Sequence, residues 1–223
     1  MLFKNILNLF YPKLCGACSN PIINSVDELC IACEIHLIYE SQPNTSKIGK
    51  TLRGRVAIIK GAFFIDYTKK EGIQQVLHSI KYQNQKKLGI YLAEELAKKL
   101  GKEFFKSIDL LISVPLHPKK LALRGFNQAD LLAYGVQKHF DIPLDSTSFI
   151  RKIFTESQTK KNKLERWENV QNAFEVTNKK ALHKKHILLL DDVFTTGATL
   201  EACIKTLQKE VDCTCSILTL ARA

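Results

Sequence analysis

The stretch "ILLLDDVFTTGATL", Ile187 to Leu200, constrains the fold more than any other part of the chain. Consecutive aliphatic residues without polar alternation describe a strand covered on both faces, as in a parallel sheet flanked by helices. Two adjacent aspartates, Asp191 and Asp192, close the run, and a Thr-Thr-Gly turn leads into the helix-like "ATLEACIKTLQKE". In an open α/β sheet ligands bind beyond the carboxyl ends of the strands, where these residues are expected to stand. Thr195, Thr196, Gly197, Ala198 and Thr199 then form a loop at a helix N-terminus, whose amides, hydroxyls and dipole suit a phosphate. Gly197 permits a tight turn that a side chain would obstruct. The paired carboxylates can accept hydrogen bonds from the two hydroxyls of a ribose, or help hold a hydrated Mg2+. A sugar phosphate satisfies every feature.

The remaining pattern agrees with a parallel sheet. "RVAIIKGAFFIDY", "DLLISVPL", "HILLL" and "CSILTLA" read as strands, and helices are expected from about Ile73 to Leu100, Gln128 to Phe140 and Thr199 to Glu210. Strands alternating with helices predict an α/β fold. With 223 residues, 45% of them hydrophobic, the chain can bury one sizeable core and a small appendage. The expected division is 1–40 for an N-terminal helix and a cysteine segment, 41–52 for a linker, and 53–223 for the main domain. The linker reading rests on the polar "ESQPNTSKIGKT", which contains Pro43 and Gly49.

A strand ending in two aspartates is also the Walker B pattern of P-loop ATPases. "NTSKIGKT" even ends like a P-loop, but Asn44 stands where the first glycine should be, and strand-like residues follow where a helix should start. A core strand ending in solvated aspartates explains neither the glycine loop nor its threonines.

Seven cysteines divide into two groups. "CGAC" and "CIAC" place Cys15, Cys18, Cys30 and Cys33 in two Cys-x2-Cys knuckles, which can present four thiolates to one tetrahedral Zn2+. A redox Cys-x2-Cys or a disulfide pair are the other readings of such knuckles. His36 is close enough in sequence to replace one ligand, or is a lone surface histidine. Cys203, Cys213 and Cys215 read as structural, the last two in a strand where free cysteine behaves as a small hydrophobe.

A formal net charge of +11 attracts an anionic partner: nucleic acid, polyphosphate or an acidic membrane surface. From Arg151 to Arg166, six basic residues (Arg151, Lys152, Lys160, Lys161, Lys163, Arg166) face two acids, Glu156 and Glu165. Phe154 and Trp167 are available to stack on bases, although Trp167 suits a core position equally. "NKKALHKKH", Asn178 to His186, precedes its strand and so belongs to the opposite end of the sheet, as a solvated face or a secondary nucleic-acid patch. The opening "MLFKNILNLFYP" lacks the apolar core and cleavage site of a signal peptide, and no run of about 18 apolar residues occurs, so the expected location is cytoplasmic.

"ILLLDDVFTTGAT" resembles, over its whole length, the phosphoribosyl-pyrophosphate (PRPP) motif of type I phosphoribosyltransferases. The two knuckles, "SVPLHPKKLALRGFNQA", "RWENVQNAF" and "LTLARA" narrow the resemblance to the ComF family and extend it over nearly the entire chain. It implies the type I phosphoribosyltransferase fold with a small zinc-ribbon-like N-terminal segment. It also implies that Asp191 and Asp192 bind the ribose hydroxyls and that Thr195 to Thr199 hold the 5-phosphate. Pro115 and Leu116 would belong to a pyrophosphate loop. Lys119, Lys120, Arg124, Arg151 and Arg166 would meet pyrophosphate or nucleic acid. Structural Zn2+, Mg2+ with PRPP, single-stranded DNA and a ComF-type DNA-translocating ATPase are the implied cofactors and partners, with peripheral association at the cytoplasmic face of the inner membrane. Lys161 departs from the family, which usually has an apolar residue there. Three functions follow: an accessory factor for DNA uptake in natural transformation, a nucleobase-salvage enzyme, or a non-catalytic PRPP-sensing scaffold. The pattern identifies no acceptor site and no catalytic residue.

Overall fold

The computed structural model of the protein describes residues 12–22, 28–66, 73–153 and 172–223. The expected N-terminal helix, Phe154, Trp167 and Arg166 lie outside the described residues. In chain order the elements are α1 (Ile31–Glu34), continued by a π-helical turn Ile35–Tyr39, α2 (Lys47–Leu52), β1 (Gly61–Asp66), α3 (Ile73–Tyr82) and α4 (Lys86–Phe105). There follow β2 (Leu110–Ser113), α5 (Pro118–Arg124), α6 (Gln128–Gln137), β3 (Phe149–Arg151) and β4 (Phe174–Val176). The chain continues with α7 (Lys179–Leu182), β5 (His186–Phe194), α8 (Ala198–Glu210) and β6 (Thr214–Arg222).

Four strands form a parallel sheet in the order β1-β6-β5-β2, and β3 and β4 pair as a separate antiparallel ribbon. The aliphatic run of β5 is explained by its place beside β6 and β2 in the interior of the sheet. Leu188 and Leu190 enter one core with α3, α4 and α6, while Ile187 and Leu189 enter the other with α2, α8 and the ribbon. Alternate side chains thus need apolar surroundings on both faces, so no polar residue can interrupt the run.

Several boundaries differ from the sequence expectation. The polar stretch read as a linker holds helix α2, with Ile48 and Leu52 fully buried against β1 and the loop before α8. Only two of its side chains carry that packing, too few for periodicity to register. The first strand begins at Gly61 rather than at Arg55 and runs to Asp66, beyond which Tyr67 lies outside the described residues. The helix expected from Ile73 to Leu100 is two helices, separated where Asn84 adopts a left-handed φ of 57°. Asn tolerates that conformation better than most residues, but no Gly or Pro announces the break. The segment after β2, to which the sequence pattern assigns no helix, forms α5, with Pro118 in its first turn, His117 accepting from Lys119 N, and Gly125 at φ 74° ending it.

The cysteine segment packs onto the same core as the sheet. Cys15, Ala17 and Leu29 are buried with Leu88 and Leu92 of α4. A Cβ on Gly16 would lie 2.4 Å from Leu88 Cδ2, and Ser79 Oγ donates to Gly16 O at 3.1 Å. Among the described residues no helix is long and apolar enough to cross a membrane.

If α2 belongs to the folded domain, Leu52→Ala should lower the unfolding free energy by about 2–4 kcal/mol in urea titration. A solvated linker position would change it by under about 0.5 kcal/mol, and that result would contradict the packing described.

Candidate functional site

The site forms because β5 outlasts β2. Their register ends at Ser113 opposite Leu190, and Val114 N still donates to Leu190 O at 2.8 Å before Pro115 turns the chain away. β5 continues against β6 through Phe194, so both aspartates lie inside the strand's last residues rather than beyond its end. From Asp191 onward β5 therefore has an unpaired edge toward β2, and a cleft of about 240 Å3 opens there.

Alternation along the strand gives the two carboxylates different neighbours. Asp192 Oδ2 pairs with Lys81 Nζ, at the end of α3, at 2.8 Å. Asp191 accepts from Asp192 N at 2.9 Å and feels Arg151 of β3. Burial first, and the Asp192 charge second, push the Asp191 carboxyl well above the usual carboxylate range, while the Asp192 amide, Lys81 and Arg151 oppose the rise. Its residue surface is nevertheless partly exposed toward the cleft. A hydrogen-bond donor or cation arriving there would favour the ionised form.

Thr195 and Thr199 also line the cleft. The loop between them turns at Gly197, whose φ is 77° and whose Cβ, if present, would sit 2.9 Å from Phe194 Cζ and 3.0 Å from Leu52 Cδ2. Conformation and crowding both require glycine here. Arg55 braces the loop from behind: its Nη1 donates to Thr196 O at 2.9 Å, and its guanidinium pairs with the buried Glu201 of α8. Ala198 N reaches Thr196 Oγ1 at 3.4 Å.

Basic residues line the cleft as well. Arg124 and Arg151 line it, Arg124 Nη1 donating to Gln128 Oε1 at 2.8 Å and Arg151 lying over the Phe174 ring at 5.3 Å. Lys120 has its pKa lowered by burial and then by the charges of Arg151 and Arg124, so three cations converge. Asn127 caps α6, and its Nδ2 donates to Val114 O at 3.0 Å, tying the helix to the end of β2. Gln128 is 3% exposed, and its Nε2 has no partner among the described residues.

Of the residues singled out from sequence, Asp191, Asp192, Thr195, Thr199, Leu116, Arg124 and Arg151 line this cleft. Thr196, Gly197 and Ala198 shape the loop behind it, Pro115 sets the turn, and Lys120 sits near the arginines without lining the cleft. Lys119 is exposed on α5. Sequence reasoning missed Lys81, Asn127, Gln128 and the bracing Arg55. Lys81 carries no spacing signal, since it meets Asp192 only through tertiary packing.

A second constellation is the cysteine cluster. The sulfurs of Cys15, Cys18, Cys30 and Cys33 all lie within 4.8 Å of one another, with Cys18 and Cys30 3.7 Å apart. The seven cysteines form no disulfide in this structure. Tetrahedral ligation with bonds near 2.3 Å puts sulfurs roughly 3.8 Å apart, so the group could hold one metal ion. His36 is not in the cluster and hydrogen-bonds Glu40 instead, at 3.1 Å.

No protein-family profile matches the chain. It is 32% identical over 146 residues to competence protein F of Haemophilus influenzae, covering 62% of this chain and 63% of that protein. It is 25% identical over 220 residues to DNA utilization protein YhgH of Salmonella typhimurium, covering 97% and 93%. Competence protein ComFC of Bacillus subtilis is 26% identical over 188 residues, covering 84% and 75%. Over these spans the chain is similar to the ComF and YhgH proteins. Among solved structures, it is similar to a purine phosphoribosyltransferase from Pyrococcus horikoshii, with TM-score 0.33 and 20% identity over 60% of this chain and 82% of that one. An adenine phosphoribosyltransferase from Thermoanaerobacter pseudethanolicus aligns with TM-score 0.38 and 16% identity over 78% and 99%.

Elemental analysis of the purified protein should find about one divalent metal ion per chain, and Cys15→Ser with Cys30→Ser should lose it together with folding of the knuckles. Wild type without metal would remove the site.

Proposed function

We propose that the protein is a competence-associated, phosphoribosyltransferase-like factor that binds PRPP in the β2–β5 cleft and single-stranded DNA on its basic surface. The observation that carries this reading is the lining of the cleft, which brings together two carboxylates, threonines at a helix start, and two arginines with a lysine. Asp191 and Asp192 accept the ribose hydroxyls, and the Thr195–Thr199 loop holds the 5-phosphate. Arg124 and Arg151, with Lys120 near them, face the pyrophosphate. Mg2+ arriving with PRPP would neutralise that pyrophosphate, and the Asp191 and Asp192 carboxylates are oxygen ligands of the kind it takes.

The thiol cluster suits Zn2+, in a structural role, because four sulfur donors with no open position leave nowhere for a substrate. The DNA half of the reading is supported by the net charge of +11 and by the names of the similar proteins, which are competence and DNA-utilization proteins. In this reading the protein works beside a DNA-translocating ATPase at the cytoplasmic face of the inner membrane.

PRPP with Mg2+ at about a hundred times its Kd should raise the melting temperature by about 5–10 °C, because a ligand that binds only the native state stabilises it. Asp191→Ala with Asp192→Ala should abolish the shift. An equal shift in wild type and double variant would refute the assigned cleft.

Single-stranded DNA should bind with little sequence preference, and if about four phosphates are engaged, log affinity should fall against log salt with a slope of roughly −3. Arg124→Ala should weaken binding and flatten that slope, whereas Lys184→Ala, exposed at the opposite end of β5, should matter less. A larger effect at Lys184 would count against the proposed surface.

A further inference from the structure

Beside the carboxylate cleft lies a second and wider one, of about 720 Å3, which shares Lys81, Val193 and Thr195 with the first. Its other wall is one face of α3. Gln74, His78 and Tyr82 follow one another at four-residue spacing along that face, so their side chains sit in a row. The His78 and Tyr82 rings are 4.9 Å apart and inclined by 42°, which leaves ring surface open rather than closed in a stack. Tyr82 is 64% exposed although its neighbours on α3, Leu77 and Ile80, are buried. The Arg124 guanidinium, which also lines the first cleft, lies 5.6 Å from the Tyr82 ring. Lys81, between the two aromatics and the carboxylates, contributes a second cation.

Exposed aromatic rings, one of them with a guanidinium over it, beside a second cation match the chemistry of an unpaired nucleic-acid strand, which presents base faces and phosphates together. A free heterocycle would use the rings but bring no anion for Arg124. A duplex would keep its bases stacked on one another. We propose that the α3 ledge takes one base of single-stranded nucleic acid, stacked on His78 and Tyr82, with the flanking phosphates on Arg124 and Lys81. This rests on the DNA reading above and adds to it the place where bases, rather than backbone, are held. It also brings the strand to the rim of the PRPP cleft.

The test is fluorescence anisotropy with a labelled oligo-dT, and with the same oligonucleotide made largely abasic, on wild type, Tyr82→Ala and Tyr82→Phe. Tyr82→Ala should bind oligo-dT about ten-fold more weakly, Tyr82→Phe should bind like wild type, and the salt slope should be unchanged because no phosphate contact is removed. On the abasic strand wild type and Tyr82→Ala should bind alike. Thermal melting of Tyr82→Ala should match wild type, since the side chain is exposed. Wild-type affinity for oligo-dT in Tyr82→Ala, or an equal loss on both strands, would overturn the ledge while leaving DNA binding in place. If wild type binds no oligonucleotide, the DNA reading and the ledge fall together. If Tyr82→Ala loses affinity only for free nucleobases, the cleft belongs to a small acceptor instead.

Discussion

The register between β2 and β5 controls the rest of the site. Because the pairing stops at Ser113 and Leu190 while β5 remains held by β6 through Phe194, the central strand projects one unpaired edge past its neighbour. A projecting strand end is a rigid mount: its backbone is fixed on one side and its two faces carry successive side chains in opposite directions. Asp191 and Asp192 thereby reach one cleft from opposite sides of the sheet, one near Arg151 and the other on Lys81. The loop that follows has little freedom either, since Gly197 is wedged against Phe194 and Leu52 and Arg55 holds the Thr196 carbonyl. The Asp191 carboxyl is correspondingly crowded, and burial with the neighbouring Asp192 charge raises its pKa.

Much of this architecture was legible in the sequence where local chemistry and tertiary environment agree. The unbroken Ile187 to Leu190 run has one explanation, a strand with a core on each face, and Leu188 and Leu190 do enter a different core from Ile187 and Leu189. The spacing of Cys15, Cys18, Cys30 and Cys33 likewise anticipated four sulfurs in mutual reach. What escaped was decided by packing at a distance. Helix α2 looked like a linker because Ile48 and Leu52 are its whole apolar content. The break between α3 and α4 depends on one left-handed Asn84, a conformation asparagine visits without announcing it. Lys81, Asn127 and Gln128 belong to the cleft only because α3 and α6 end beside it, and no motif spacing encodes that meeting.

The cysteine segment follows the same logic. It is too short to bury a core of its own, yet Cys15, Ala17 and Leu29 are buried, because they share the core of α3 and α4 rather than forming a separate one. Gly16 allows the approach: any side chain would collide with Leu88. The knuckles are thus part of the domain's packing, joined by Ser79 to the helix that also carries His78 and Lys81.

Lys81 touches both clefts, and its ammonium, paired with Asp192, stands within the field of an anion in either place. A ligand that draws it off Asp192 changes the field in which the other ligand binds, and the thermodynamics of two sites on one molecule is reciprocal. Whatever factor the occupant of one cleft imposes on the affinity of the other, the second imposes on the first. Lys81, Val193 and Thr195 line both clefts, so an occupant of either would stand against side chains that meet the other.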